Sequence, residues 1–270
     1  MSAMSDLRPP VRFGAADLHL HTSHGDGMAD AATLLDRIEA HTDLDVIAIT
    51  DHDDVRGALL AREVHARGHY RFAFVPGIEL TTRSGHLLAL WVDEPLAPLR
   101  PLDETIAAIH RAGGLAVIPH PMSYLTRSVG QRALERLLAI GDPEVTPDAI
   151  EVANPSPAGR QAGAKARHLN RTRYGLAETG SSDTHFPEEA GTARTLFPGH
   201  TPEALRAALL AKATRPALLG AVPLRRIGAR RLALQQVRGL STTPRKVVAF
   251  QARRIAAWRA ASTESGEVRA

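Results

Sequence analysis

The sequence predicts one α/β domain whose strands close into a barrel, and three observations predict it. Apolar runs such as VIAI, FAFV, LAVI and AIEV alternate with stretches of helical periodicity. Residues able to bind metal recur at the ends of those runs: His19 and His21, His52, Glu79, His120, Asn154, and Asp183 with His185. The carboxyl ends of parallel strands converge on one rim, and only a closed sheet lets the first and last of them meet there. The strand count stays open at this point.

In chain order, residues 15–20 read as the first strand. Side chains two apart share a face, so Asp17, His19 and His21 project together while Leu18 and Leu20 turn toward a core. Residues 30–40 carry Leu34, Leu35 and Ile38 at helical spacing, with Asp30 as N-cap. Residues 46–49 form a strand buried on both faces, and 55–67 a helix. A strand over 72–75 ends in Pro76, Gly77, Ile78 and Glu79, and Ser84–Gly85 turns the chain into a strand over 86–92. A helix over 103–112 closes at Gly113–Gly114, followed by a strand over 115–118. A helix over 131–140, a strand over 149–152, a helix over 160–174 and a stretch from Ala177 into Asp183 come next. A final helix starts at Pro202 behind a Thr201 cap. Strands separated by helices are expected to pair in parallel.

Composition sets the limits. The 270 residues supply ample material for a core. Without cysteine, disulfides, iron–sulfur clusters and thiolate zinc sites are excluded, so any metal is held by nitrogen and oxygen. Residues 1–13 read as a loosely attached lead with no secretory signal, and no run reaches the roughly 20 apolar residues of a membrane span. A soluble cytoplasmic protein is expected. Residues 221–270 carry eleven Lys/Arg against two Asp/Glu, whereas the preceding 220 residues hold 22 basic and 27 acidic side chains. The basicity belongs to the tail, which argues against a whole-surface nucleic-acid binder.

The segments DLHLHTSHGD, AITDHDD, PGIE, GHLLAL, IPHP, IEVANP and GSSDTH, spread over residues 15–190, follow the order of the PHP (polymerase and histidinol phosphatase) superfamily, which the chain resembles. The resemblance implies a distorted (β/α)7 barrel over residues 14–220, followed by the basic helical extension over 221–270. It also implies a centre of up to three divalent ions, with manganese, zinc and iron all suited to imidazole and carboxylate. One ion would take His19, His21, Glu79 and Asp183. A second would share Glu79 and add His86 and His120, and a third would take Asp26, His52 and His185. Asp26 is preferred to nearby His24 because TSHGDG resembles the phosphatase branch. Asp17 and Asp51 are read either as partners orienting the histidines or as carboxylates capping a strand or turn. His41, His65, His69, His110, His168 and His200 read as solvated or packed away from the rim.

Three divalent ions outweigh the charge of Asp26, Glu79 and Asp183, so the site calls for an anionic substrate such as phosphate. The resemblance implies a metal-dependent phosphoesterase that hydrolyses a phosphomonoester of a small metabolite, a nucleotide, by attack of a hydroxide bridging two ions. Asp183, His185 and His52 are the catalytic candidates, with the proton for the leaving oxygen coming from His185 or His52 or, since a metal-bound histidine is a poor acid, from a water. Arg127, in HPMSYLTRSVG, and Arg160 are the candidate phosphate contacts, since a guanidinium matches phosphate bidentately. Two alternatives stay open. One keeps the enzyme but moves the substrate to histidinol phosphate or the ends of short oligonucleotides. The other is a metal-stabilised scaffold that binds nucleic acid or anionic membrane through its tail. There Arg225/Arg226, Arg230/Arg231, Arg245/Lys246 and Arg253/Arg254 alternate with Leu224, Leu232, Leu234, Val248, Ile255 and Trp258. The plainer reading of the tail is a helix with its apolar side on the barrel and its arginines solvated.

Overall fold

Among residues 12–267, which the computed structural model describes, nine strands form one nearly closed sheet in the order β7-β6-β5-β4-β3-β2-β1-β8-β9. The elements are β1 (Phe13–Leu20), α1 (Ala31–His41), β2 (Val46–Ile49), α2 (Arg56–Arg67), β3 (Ala73–Thr82), β4 (Gly85–Leu90) and α3 (Leu102–Arg111). They continue with β5 (Leu115–Ile118), α4 (Gln131–Leu138), β6 (Ala149–Ala153), α5 (Pro157–Leu169), β7 (Ala177–Gly180) and β8 (Ala193–Pro198). Next come α6 (Pro202–Leu210), β9 (Arg215–Leu218), α7 (Leu224–Ile227) and α8 (Ala229–Glu267). The lead expected over residues 1–13 lies outside the described residues up to residue 11.

Local chemistry sets most boundaries. The Asp30 carboxylate accepts from the Thr33 amide at 2.8 Å and starts α1, whose Leu34, Leu35 and Ile38 are fully buried. Thr201 Oγ1 does the same for α6, accepting from the Ala204 amide at 3.2 Å. Helix α5 begins three residues before the expected 160, because Ser156 caps the Gly159 amide and Pro157 occupies the first turn.

The sheet is mixed rather than parallel throughout. Pairs β1–β2, β2–β3, β5–β6 and β6–β7 are parallel, whereas β3–β4, β4–β5, β1–β8 and β8–β9 are antiparallel. The departure centres on β3. It does not stop at Val75 but runs through Pro76 and Gly77 to Thr82, then turns tightly into β4. Gly85 makes that turn with φ +137°, a conformation L side chains rarely adopt. Glu79 therefore projects from within a strand and not from the segment after it, while His86 stands beside the hairpin turn, at the start of its strand as expected.

Strands β8 and β9, ARTLFP and RPAL, carry arginine and proline that break the apolar pattern. They bring the sheet round toward β7. Thr195 Oγ1 accepts from the Gly180 amide at 3.0 Å, and Thr214 Oγ1 donates to the Glu178 carbonyl at 2.8 Å. At the other end, the His21 amide donates to the Thr184 carbonyl at 3.0 Å and the Thr184 amide to the His19 carbonyl at 3.2 Å. The chain after β7 is thereby fastened beside the end of β1.

Leu18 and Leu20 do not share a core. A shift in register between Asp17 and Leu20 breaks the strict alternation. Leu18 joins Val46, Val75, Leu88, Val117, Phe197 and the α6 residues Leu205 and Leu209, whereas Leu20 packs with Leu34, Leu35 and Ile38 of α1. This irregularity turns both His19 and His21 toward the polar end of the barrel.

Helix α8 also departs from its expected pose. Gln235 and Thr242 are buried, while Val237, Leu240 and Val248 are 64%, 81% and 69% exposed. It is the polar side that meets the barrel. The side chains of Arg254 and Trp258 lie outside the described residues. No described helix is long and apolar enough to cross a membrane.

Candidate metal centre

At the end of the barrel where β1 meets the chain after β7, six histidines and three carboxylates converge. Glu79 is the hub, 1% exposed. Its Oε2 lies 3.2 Å from His19 Nε2, 3.3 Å from His21 Nε2 and 3.2 Å from His52 Nδ1. Its Oε1 lies 2.9 Å from His86 Nδ1 and 3.2 Å from His120 Nε2. Asp183 Oδ1 approaches His19 Nε2 at 3.4 Å and His21 Nε2 at 3.5 Å. Asp26 Oδ2 lies 3.2 Å from His185 Nε2, and its Oδ1 is 3.8 Å from His52 Nε2.

Four groupings bring donor atoms close enough to share an ion: His21, Asp26, His52 and His185; His19, Glu79 and His120; His19, His21 and Asp183; and His52, Glu79 and His86. All nine residues expected as ligands are gathered here. The groupings differ from the expected division: His21 also faces the Asp26 group, Glu79 stands apart from the set of His19, His21 and Asp183, and His86 and His120 separate, His86 joining His52 and His120 joining His19, each with Glu79. His24 stands outside them, its Nε2 turned 3.3 Å from Asp54.

A cluster of this kind is expensive unless something satisfies it. His19 Nε2, His21 Nδ1 and Nε2, His52 Nδ1, His86 Nδ1 and Asp26 Oδ1 are buried with no hydrogen-bond partner among the described residues. Each orphaned polar atom costs about 1–3 kcal/mol. Divalent cations at the points of convergence would satisfy these lone pairs, and the donor set of imidazole and carboxylate suits them. The residues present therefore fit a metal centre. The electrostatics agree: burial alone would raise the Glu79 pKa, yet the charges of His52, His86 and His19 hold it well below the usual range. Burial would lower the pKa of His19, but Asp183 and Glu79 raise it well above that of an ordinary imidazole.

The backbone is bent to make the arrangement possible. Asp183 and His120 adopt φ of +54° and +29°, positions that non-glycine residues occupy only when their surroundings hold them there.

Three carboxylates hold the cup from behind, one of them missed from sequence. Glu151 projects from β6, in AIEVA, and is 1% exposed. Its Oε1 lies 3.3 Å from His19 Nδ1, while its Oε2 accepts from the His120 amide at 2.9 Å and from Asn154 Nδ2 at 2.7 Å. Its signal was an acid inside a strand buried on both faces. Asp17 and Asp51 take the capping role and orient no histidine. Asp17 accepts from the amides of Ser182 at 3.0 Å and Gly191 at 2.8 Å, and burial pushes its carboxyl up to about 6 against those bonds. Asp51 accepts from the Thr22 amide at 2.7 Å and hydroxyl at 2.5 Å. Both brace backbone that carries the convergent side chains.

The remaining expectations divide. Arg127 and Arg160 are both exposed, and neither forms an ion pair with a described residue; the Arg127 carbonyl accepts from the His86 amide at 2.8 Å. His110 pairs with Asp148 at 3.0 Å, and His65 stacks on Tyr70 with its ring tilted against Phe72.

Known proteins share this architecture. Residues 165–214 match the family model described as PHP-associated. The chain is 28% identical over 131 residues to an uncharacterized protein of Methanocaldococcus jannaschii, covering 44% of this chain and 75% of that one. Over 96 residues it is 32% identical to the 5'-3' exoribonuclease Rnm of Salmonella typhimurium, covering 34% of this chain and about a third (31%) of that protein. A two-domain Bacteroides vulgatus protein containing a predicted PHP-like metal-dependent phosphoesterase superposes with a TM-score of 0.58 at 20% identity, covering 77% of this chain and 65% of that one. The fold is that of the PHP-like metal-dependent phosphoesterases.

Proposed function

We propose that the protein is a metal-dependent phosphoesterase that releases phosphate from a phosphomonoester of a small metabolite, a nucleotide. The observation that carries this reading is the convergence of nine side chains bearing nitrogen and oxygen donors, with Glu79 as their hub and all but His185 buried. In this proposal residues 14–220 are the phosphoesterase barrel and residues 221–270 its extension. His19, His21, Glu79 and Asp183 would hold one ion, Glu79 with His86 and His120 a second, and Asp26, His52 and His185 a third. Bound divalent ions would supply a nucleophile from water near neutral pH and draw off charge that develops on the phosphoryl oxygens. The chain's part is to hold the donors rigidly and keep the cup dry. Asp183 serves at the centre of the cup. His185, whose side chain is 20% exposed, and His52, at 11%, stand at its more open edge and are the proposed proton donors to the leaving oxygen. Arg127 and Arg160 are the proposed phosphate contacts; Arg127 lies on the segment whose backbone carbonyl accepts from the His86 amide.

The test is phosphate release from an aryl phosphate and from a panel of nucleoside monophosphates and histidinol phosphate. His19→Ala and Asp183→Ala should each abolish it. Undiminished turnover by chelator-treated protein would defeat the reading. The likeness to part of an exoribonuclease favours a second substrate, the ends of short oligonucleotides, so an oligonucleotide digestion belongs beside the panel.

A further inference from the structure

Helix α8 lies against the metal cup with one polar face, built from residues three, four and seven apart. Gln235 is 8% exposed, and its amide nitrogen donates to Asp26 Oδ2 at 3.3 Å. Gln236 Nε2 donates to Gln235 Oε1 at 2.8 Å, which fixes the amide so that its NH2 side faces the carboxylate. One turn on, Gly239 permits the close approach: a Cβ there would stand 3.2 Å from Asp26 Oδ2. Two further turns along, Lys246 Nζ reaches Asp54 Oδ2 at 3.1 Å, and Arg238 donates to the Ser23 carbonyl at 2.8 Å. These contacts clamp the helix to the loops that follow β1 and β2. Asp26 Oδ2 is thus occupied by Gln235 and His185, while Asp26 Oδ1 is left without a hydrogen bond, toward His52 and His21.

We infer that α8 is part of the metal centre, with Gln235 as a positioning residue: its amide ties down one oxygen of Asp26 so that the other is presented to an ion shared with His21, His52 and His185. The inference rests on the metal-binding half of the proposed function and not on the choice of substrate. It separates this tail from an appended module that binds a partner independently. Partners one shell out from a ligand set its orientation, and losing one typically costs 10–100-fold in metal affinity.

The experiment is titration of metal-free, full-length protein with Mn2+, followed calorimetrically, alongside phosphate release. Gln235→Ala should weaken one class of Mn2+ sites by about 10–100-fold and leave the others in place, with the melting temperature of the metal-free protein little changed. Gly239→Val, which pushes the helix away from Asp26, should weaken the same class. Leu240→Ala, on the exposed side of the helix, should change nothing. A folded Gln235→Ala protein whose isotherm superposes on the wild type would overturn the inference, and so would a wild-type chain that binds no Mn2+. Selective weakening in a protein that hydrolyses no phosphoester would uphold the inference and overturn the proposed function.

Discussion

Replacing Glu151 by glutamine changes one oxygen into an NH2 group and almost nothing in shape, yet it should disable the centre. The carboxylate only accepts hydrogen bonds, and three donors use it: His19 Nδ1 at 3.3 Å, the His120 amide at 2.9 Å and Asn154 Nδ2 at 2.7 Å. A proton on His19 therefore sits at Nδ1, and the nitrogen left to bind an ion is Nε2, which faces Glu79 and Asp183. A glutamine must turn its NH2 one way or the other. Turned to the Oε2 side, it meets the His120 amide and Asn154 donor to donor, at a cost of about 1–3 kcal/mol per unsatisfied group. Turned to the Oε1 side, it requires His19 Nδ1 to accept. That moves the proton to Nε2 and removes the lone pair from the cup. Either outcome should lower Mn2+ or Zn2+ affinity by about 10–100-fold, or about 1.4–2.7 kcal/mol. Competition against a chelator of known affinity reads this directly, with circular dichroism to show that the variant is folded. Affinities within twofold of wild type in a folded Glu151→Gln protein would refute the orienting role assigned to this residue.

Two further outcomes are expected at residues that are not themselves ligands. Gly85→Ala should destabilise the protein by at least about 3 kcal/mol in urea unfolding, since φ is +137° and the new Cβ would lie 2.3 Å from the Ser128 carbonyl carbon and 2.4 Å from the Val129 nitrogen; a melting temperature within about 2 °C of wild type would contradict it. His110 has its pKa raised by the hydrogen bond with Asp148, with burial opposing, so its stabilisation is complete below its unfolded value near 6.5 and is lost as pH rises through the higher folded value. His110→Ala should therefore cost more at about pH 6 than at about pH 9, and an equal loss at both would show that the ion pair contributes nothing.

What the sequence made legible was whatever local chemistry decides. Asp30 and Thr201 cap their helices as their positions suggest, and the run VIAI is β2 residue for residue. The nine donors were readable because histidine and carboxylate inside apolar strands have few other uses, and because their order along the chain is a signature. What escaped depends on partners distant in sequence. Glu79 was expected past the end of its strand because Pro76–Gly77 resembles a stop. The β3–β4 hairpin overrides it: Pro76 stays in register with Ile49 of β2, and from Gly77 onward β4 supplies a ladder on the other side of the strand. Strands β8 and β9 carry too few apolar residues to announce themselves, and they are strands because β1 needs a second neighbour.

The tail shows the same limit from the other side. Its apolar positions invite the inference that they bury, since burial is worth about 25 cal/mol per Å2. What decides the pose instead is a cup rim carrying Asp26 and Asp54, whose charges are costly to leave unpaired. Lys246, 11% exposed at its side chain, and Gln235 answer that need, and once they face inward the helical repeat forces Val237, Leu240 and Val248 outward. The basic composition that set the tail apart from the acidic barrel is thus the same feature that binds it there. A segment whose charge complements the rim need not be a separate module to be different in composition.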